Sequence, residues 1–322
     1  MPFITKIGNK IAATKPVRII VDKSKATSLP GFRGIPLFDV INFFIGQVRT
    51  VGMTERASAI AYNLFMAIPP ALIFLFTLIP LLPITQQFQE QLYGLIRDVI
   101  PGEKDHDVLI KFLKDFINKP RNGLLSLGFV LSMYFSSNAM MSIMRSFDKN
   151  YIGFKKRTGL QKRGVAIKIT IVLFVLVFVS ILLLIGQGQV LQLIGIRNAT
   201  VRSIILNARW IIIVLLFFAI ISYIYRHAPA VHKKWRLINP GSILAATLML
   251  LMTFLFSWWV GHFGNYNQLY GSIGTVLILL VLIFINSLIL LIGFELNVSI
   301  SSLKKIADER KDSPADGSEN PI

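Results

Sequence analysis

The sequence predicts an all-α, polytopic membrane protein with six transmembrane helices, both termini in the cytoplasm, and an amphipathic helical cap between the first two spans. Three observations carry this reading. The composition is 54% hydrophobic with 24 Phe among 322 residues and a mean hydropathy of +0.63, far too apolar for a water-soluble domain. The apolar residues gather into runs long enough to cross a ~30 Å hydrocarbon layer as helices. Lys and Arg crowd into alternate linkers, which orients those runs. Cysteine is absent, so disulfides, thiolate metal sites and thiol catalysis are excluded.

Taken in order, residues 1–36 form a basic cytoplasmic arm carrying Lys6, Lys10, Lys15, Arg18, Lys23, Lys25 and Arg33, broken by Pro30, Gly31, Gly34 and Pro36. This stretch holds no apolar h-region followed by a small-residue cleavage site, so no cleaved signal peptide is expected. From Leu37 to Val51 the apolar residues Leu37, Val40, Ile41, Phe44, Ile45 and Val48 recur at spacings of three and four, which predicts an amphipathic helix at the membrane surface.

The membrane domain is expected over 37–302, with spans at about 57–83, 123–144, 165–188, 209–225, 240–262 and 272–299. In the first span Pro69 and Pro70 remove two backbone donors, so a kink or local unwinding is expected there. Ala57 and Ala61 form a small edge on which another helix can close. Residues 84–122 balance six basic against six acidic residues. They carry helical apolar spacing in two pieces, Phe88 to Ile100 and Val108 to Ile117, divided by Pro101-Gly102, and so predict the extracytoplasmic cap. Residues 303–322 are expected to be a disordered cytoplasmic tail.

Charge placement sets the orientation. Nine Lys and Arg precede the first span, counting Arg56, and seven lie in residues 145–163. The facing loops carry only Arg197 and Arg202, none over 263–272, and the balanced cap. The net charge of +18 therefore reads as topology and affinity for anionic lipid headgroups of the surrounding phospholipid bilayer, and not as a nucleic-acid groove.

Depth counting at 1.5 Å per residue places three amides in one layer, about a third of the way in from the cytoplasm. Asn286 and Asn138 each follow an outer-face glycine (Gly271, Gly123) by 15 residues, and Asn63 follows Arg56 by seven. Ser137, Ser222, Thr247 and Ser287 can reach the same layer. Groups of this kind avoid lipid, either as interhelical glue or as the lining of a polar path. Glu295 is the one acidic residue in any span and has to be neutralised or paired. Arg56, Arg145 and Lys168 sit at comparable depth, and Arg145 or Lys168 is the expected partner. Trp235, Trp258 and Trp259 are expected in an interfacial aromatic belt. The four histidines are scattered, and no P-loop, His-Glu-x-x-His or Gly-x-Ser-x-Gly occurs, so no metal site, cofactor or catalytic residue is assigned.

Four segments then carry a resemblance. They are Ala59-Ile-Ala-Tyr62 with Pro70 beyond it, and Arg145-Ser-Phe-Asp-Lys-Asn-Tyr151. The others are Tyr225-Arg-His-Ala-Pro229 leading through Trp235-Arg236 to Pro240-Gly241, and Tyr270-Gly-Ser-Ile-Gly274 leading to Gly293-Phe-Glu-Leu-Asn297. In order and spacing they resemble the YihY/virulence factor BrkB family of integral membrane proteins, over about residues 40–305. The sequence departs from that pattern at Ala67 and Asn63. The resemblance implies a six-span protein of the bacterial inner (plasma) membrane without an agreed activity. Some family members carry an older ribonuclease BN label, but cleaving RNA requires a clustered metal site or an acid–base pair in water, which these residues do not display. The expectation is thus a non-enzymatic transporter or handler of a lipid or envelope-related solute, with a membrane scaffold as the alternative and a ribonuclease as the weakest. Association into a homo-oligomer is compatible with either of the first two.

Overall fold

The computed structural model describes residues 22–50, 52–78, 90, 93–94, 110–111, 114, 122–148, 157–193, 209–232, 234–262 and 266–312. The main helices are α1 (Leu37–Thr50), α2 (Met53–Leu78), α3 (Asn122–Ser146), α4 (Gly159–Leu193), α5 (Arg209–His227), α6 (Pro240–His262) and α7 (Tyr266–Asp312). Of these, α2, α3, α4, α6 and α7 are long and apolar enough to cross a membrane. The fourth expected span corresponds to α5, whose apolar part, Ile211–His227, is shorter. At 1.5 Å per residue that part covers about 26 Å, just under the hydrocarbon thickness.

Each long helix packs on the next along the chain, from α2 to α7, and α7 returns to pack on α2 and on α1. The result is a closed ring of six helices. Burial is uneven along it. The core gathers where α2, α4 and α6 begin and α3, α5 and the later half of α7 lie: Ala57, Ile60, Met144, Phe147, Ile169, Tyr225, Ala245, Leu291, Phe294 and Val298 are among its most buried members. Toward the other end Leu127, Val130, Val175, Ile211, Leu215, Phe254 and Val276 are exposed. There the α2–α3 hairpin stays closed, and a Cβ on Gly128 would meet Ile73 Cγ2 at 3.3 Å. Among the described residues the buried core lies toward one end of the ring.

Local sequence explains the packed end. Thr158 and Gln161 form a reciprocal capping box at the start of α4, with Thr158 N donating to Gln161 Oε1 at 3.1 Å and Gln161 N to Thr158 Oγ1 at 3.4 Å. Asn239 caps α6, its Oδ1 accepting from Ser242 N at 2.8 Å, and Pro240 follows as the first helical residue. On α2 the small edge is used as expected, with Ala57 and Ala61 buried.

Several expectations need correction. The chain stays helical through Pro69 and Pro70, so the missing donors do not unwind the helix. They leave the Phe65 and Met66 carbonyls, four residues back, without their usual amide partners. The tail is not disordered from 303: α7 runs on to Asp312 because Ser301–Asp312 is rich in helix formers and carries a Lys304–Asp308 ion pair of 2.7 Å. Residues 313–322 lie outside the described residues. The end of the basic arm is also anchored, since Phe32 and Ile35 are buried with Val40 of α1 and Ile300 of α7. Gly31 has φ +92°, and a Cβ there would stand 2.8 Å from Pro240 Cγ. Trp235 belongs to the core and not to an interfacial belt, lying 5.7 Å from the Phe294 ring. Trp258 and Trp259 are exposed. Most of the cap, 84–122, lies outside the described residues. Within it the Lys114 ammonium lies 5.5 Å from the Tyr93 ring centre, joining its two pieces.

Candidate functional site

The candidate site is the packed end, where every long helix contributes. Glu295 of α7 is fully buried, and Arg56 Nη1 of α2 stands 3.5 Å from its Oε1. The Arg56 side chain is 23% exposed, so its charge reaches the rim while the carboxylate sits inside. Of the three candidate cations, the arginine of the first span is thus a partner of Glu295. Beside the pair, Phe147 from the end of α3 stacks on Phe294, with ring centres 4.0 Å apart and planes within 6°. Tyr225 packs edge-on to Phe147 at 5.9 Å. Its hydroxyl donates to the Leu290 carbonyl at 2.6 Å.

Next to this cluster α6 and α7 approach at their glycines. A Cβ on Gly241 would fall 2.1 Å from the Gly293 carbonyl oxygen, and one on Gly293 would fall 2.5 Å from the Tyr225 hydroxyl. The contact is locked by amides. Asn297 Nδ2 donates to Asn239 Oδ1 at 2.6 Å, and Gly241 N donates to Asn297 Oδ1 at 2.9 Å. At the α5–α6 loop the Arg157 guanidinium donates to the carbonyls of Ala228 at 2.9 Å and Pro229 at 3.2 Å. Burial lowers the Arg157 pKa, and the charge of Asp148 works against that shift. Lys162 forms an ion pair with Asp148.

The amide layer stands differently. Counting up from the observed contacts, Asn286 lies nine residues from Glu295, Asn138 nine from Phe147 and Asn63 seven from Arg56, or about 10 to 13 Å above the packed end. The level is shared, but no hydrogen bond joins the three amides. Asn63 Nδ2 donates to its own helix at Ala59 O, 2.8 Å away. Asn138 Oδ1 accepts from Arg163 Nη1. The Asn286 Oδ1 is buried without a hydrogen-bond partner. Ser137 and Ser287 bond the carbonyls of Tyr134 and Ile283 within their own helices. Of the three amides, only Asn138 bridges two helices, through Arg163 of α4.

Sequence reasoning passed over Asn239, Asn297, Gly241, Gly293, Phe147 and Tyr225 as working residues. A signal was present, because all but Asn239 fall in the segments that carry the family resemblance. Those segments are far apart in the chain and meet only at this end. Among the described residues no three His, Asp or Glu side chains come together as metal ligands.

The fold and site define an all-helical membrane protein whose helices converge on one buried, charge-containing end. The chain belongs to the virulence factor BrkB family, whose model matches residues 44–319. It is 26% identical over 259 residues to the ribonuclease-like protein YfkH of Bacillus subtilis, covering 79% of this chain and 92% of that protein. It is 28% identical over 250 residues to a UPF0761 membrane protein of Chromohalobacter salexigens, covering 75% of this chain and 58% of that one. Over 102 residues it is 32% identical to the UPF0761 membrane protein IL2447 of Idiomarina loihiensis, 32% of this chain and 36% of the other. No solved structure matches.

Proposed function

We propose that the protein is a non-enzymatic, six-span transporter or handler of a lipid or envelope-related solute in the bacterial inner membrane, with the packed end facing the cytoplasm. The observation that carries this reading is the concentration of buried residues, with an ion pair among them, at one end of the ring. A bundle closed at one end by side chains is one of the two states that alternating access requires. In this reading the Arg56–Glu295 pair, the Phe147–Phe294 stack and Tyr225 form the closed gate. Opening separates Arg56 from the buried carboxylate and exposes it to water, which gives Glu295 a role beyond packing.

The test is reconstitution. Purified protein in liposomes is expected to move labelled phospholipid across the bilayer, and Glu295→Gln, folded to the same extent, is expected to lose that movement. No movement of any lipid class would favour a scaffold, a reading that the amide-locked Gly241–Gly293 contact also supports. The ribonuclease-like name of the Bacillus relative enters only as the third reading. Metal-dependent RNA cleavage, abolished by replacing a histidine, would establish it.

A further inference from the structure

Arg145, Arg157, Lys162 and Arg163 lie at the packed end on or beside α3 and α4, and they differ in what they meet. Lys162 has Asp148, and Arg157 has two backbone carbonyls. Arg145 ends α3. Among the described residues Arg163 meets no carboxylate. One of its guanidinium nitrogens donates to Asn138 Oδ1, and its central carbon lies 5.3 Å from the centre of the Tyr134 ring.

Its direction is informative. Arg163 is the fifth residue of α4, whereas Asn138 lies eight residues before the end of α3 and Tyr134 a full turn further in. A long cationic side chain near a helix end ordinarily extends outward to the aqueous interface. Here it reaches inward, to a depth of about 12 Å from the helix end, held by an amide and a ring face. Those two neutral groups orient the guanidinium without neutralising it, and they use only part of its five-donor fork. Tyr134 is 52% exposed, so the ring opens the site to the surroundings of the bundle.

We propose that Arg163, Asn138 and Tyr134 form a binding site for a phosphate anion, the phosphodiester headgroup of a phospholipid lying against the α3–α4 groove. A planar guanidinium takes two phosphate oxygens at once. Asn138 fixes its plane, and Tyr134 covers its apolar face while acyl chains lie along exposed Val130 and Val175. Basic positions between membrane helices on the cytoplasmic side take headgroups in this way. The proposal rests on the lipid-handling reading only for the identity of the ligand; binding is measured without any movement of lipid, so the two fail separately.

The experiment is native mass spectrometry of the detergent-purified full chain titrated with phosphatidylglycerol, with diacylglycerol of the same acyl chains, and with inorganic phosphate as competitor. Wild type is expected to retain phosphatidylglycerol and not diacylglycerol. Arg163→Gln is expected to weaken retention about tenfold, the loss of one bidentate charged contact. Tyr134→Leu, at an exposed position that does not threaten the fold, is expected to weaken it about threefold. Lys162→Gln removes an equal charge one residue away and is expected to leave retention unchanged. Inorganic phosphate displacing the lipid at equal concentration would assign the site to a free anion and overturn the lipid source. Equal losses in Arg163→Gln and Lys162→Gln, or undiminished retention in both Arg163→Gln and Tyr134→Leu, would overturn the site.

Discussion

The Tyr225 hydroxyl and the Leu290 carbonyl meet at 2.6 Å between α5 and α7, although neither helix is the other's neighbour in sequence. Tyr225 is fully buried, so its hydroxyl has no water to return to. Tyr225→Phe keeps the ring and loses one buried bond, at a cost of about 1 kcal/mol. Tyr225→Ala also empties the space beside Phe147 and Gly293 and costs about 3–5 kcal/mol. Thermal unfolding in lipid-supplemented detergent reads both, and equal effects of the two variants would contradict the assignment.

The glycine contact between α6 and α7 gives a ranking. In Gly241→Ala the new methyl meets backbone oxygen at 2.1 Å, whereas in Gly128→Ala it meets a flexible Ile73 methyl at 3.3 Å. Gly241→Ala is expected to cost about 3 kcal/mol or more and Gly128→Ala under about 1 kcal/mol. Yield of monodisperse protein and its unfolding midpoint check the order.

For the buried ion pair, removing one partner differs from removing both. Arg56→Gln removes one cation from beside the buried Glu295 and is expected to cost about 1–3 kcal/mol, below the full buried-pair range because Arg56 is partly exposed. Adding Glu295→Gln to Arg56→Gln is expected to restore most of that loss. Strict additivity in the double-mutant cycle would mean that the two side chains are not coupled.

Arg157 spans two carbonyls of the α5–α6 loop with one planar fork. Arg157→Lys keeps the charge but not the fork, and is expected to cost about 1–2 kcal/mol. Arg157→Lys should also speed protease cleavage near Ala228 to Ala230. Unchanged cleavage would assign loop order to other contacts.

Much of the fold was legible because hydropathy and helix length report directly on the bilayer. Boundaries were less so: α7 passes Ser299 without pause, since Lys304 and Asp308 continue a helix that lipid no longer requires. The site was legible as residues but not as contacts. Depth counting put Glu295, Arg56, Arg145 and Lys168 on one level, yet azimuth decides which cation turns toward the carboxylate, and counting residues does not supply it. The amides show the same limit. Asn63, Asn138 and Asn286 share a level but turn to their own helix, to Arg163 and to no protein donor respectively. Trp235 was misplaced because tryptophan suits both an interface and a core, and only the Phe294 ring beside it decides.

The most direct test uses the absence of cysteine from the chain. Ile238→Cys places one thiol on the exposed α5–α6 loop at the packed end, and a membrane-impermeant maleimide is applied to right-side-out and to inverted vesicles. A packed end that faces the cytoplasm predicts labelling in inverted vesicles and protection in right-side-out ones. Labelling in right-side-out vesicles and protection in inverted ones would contradict it.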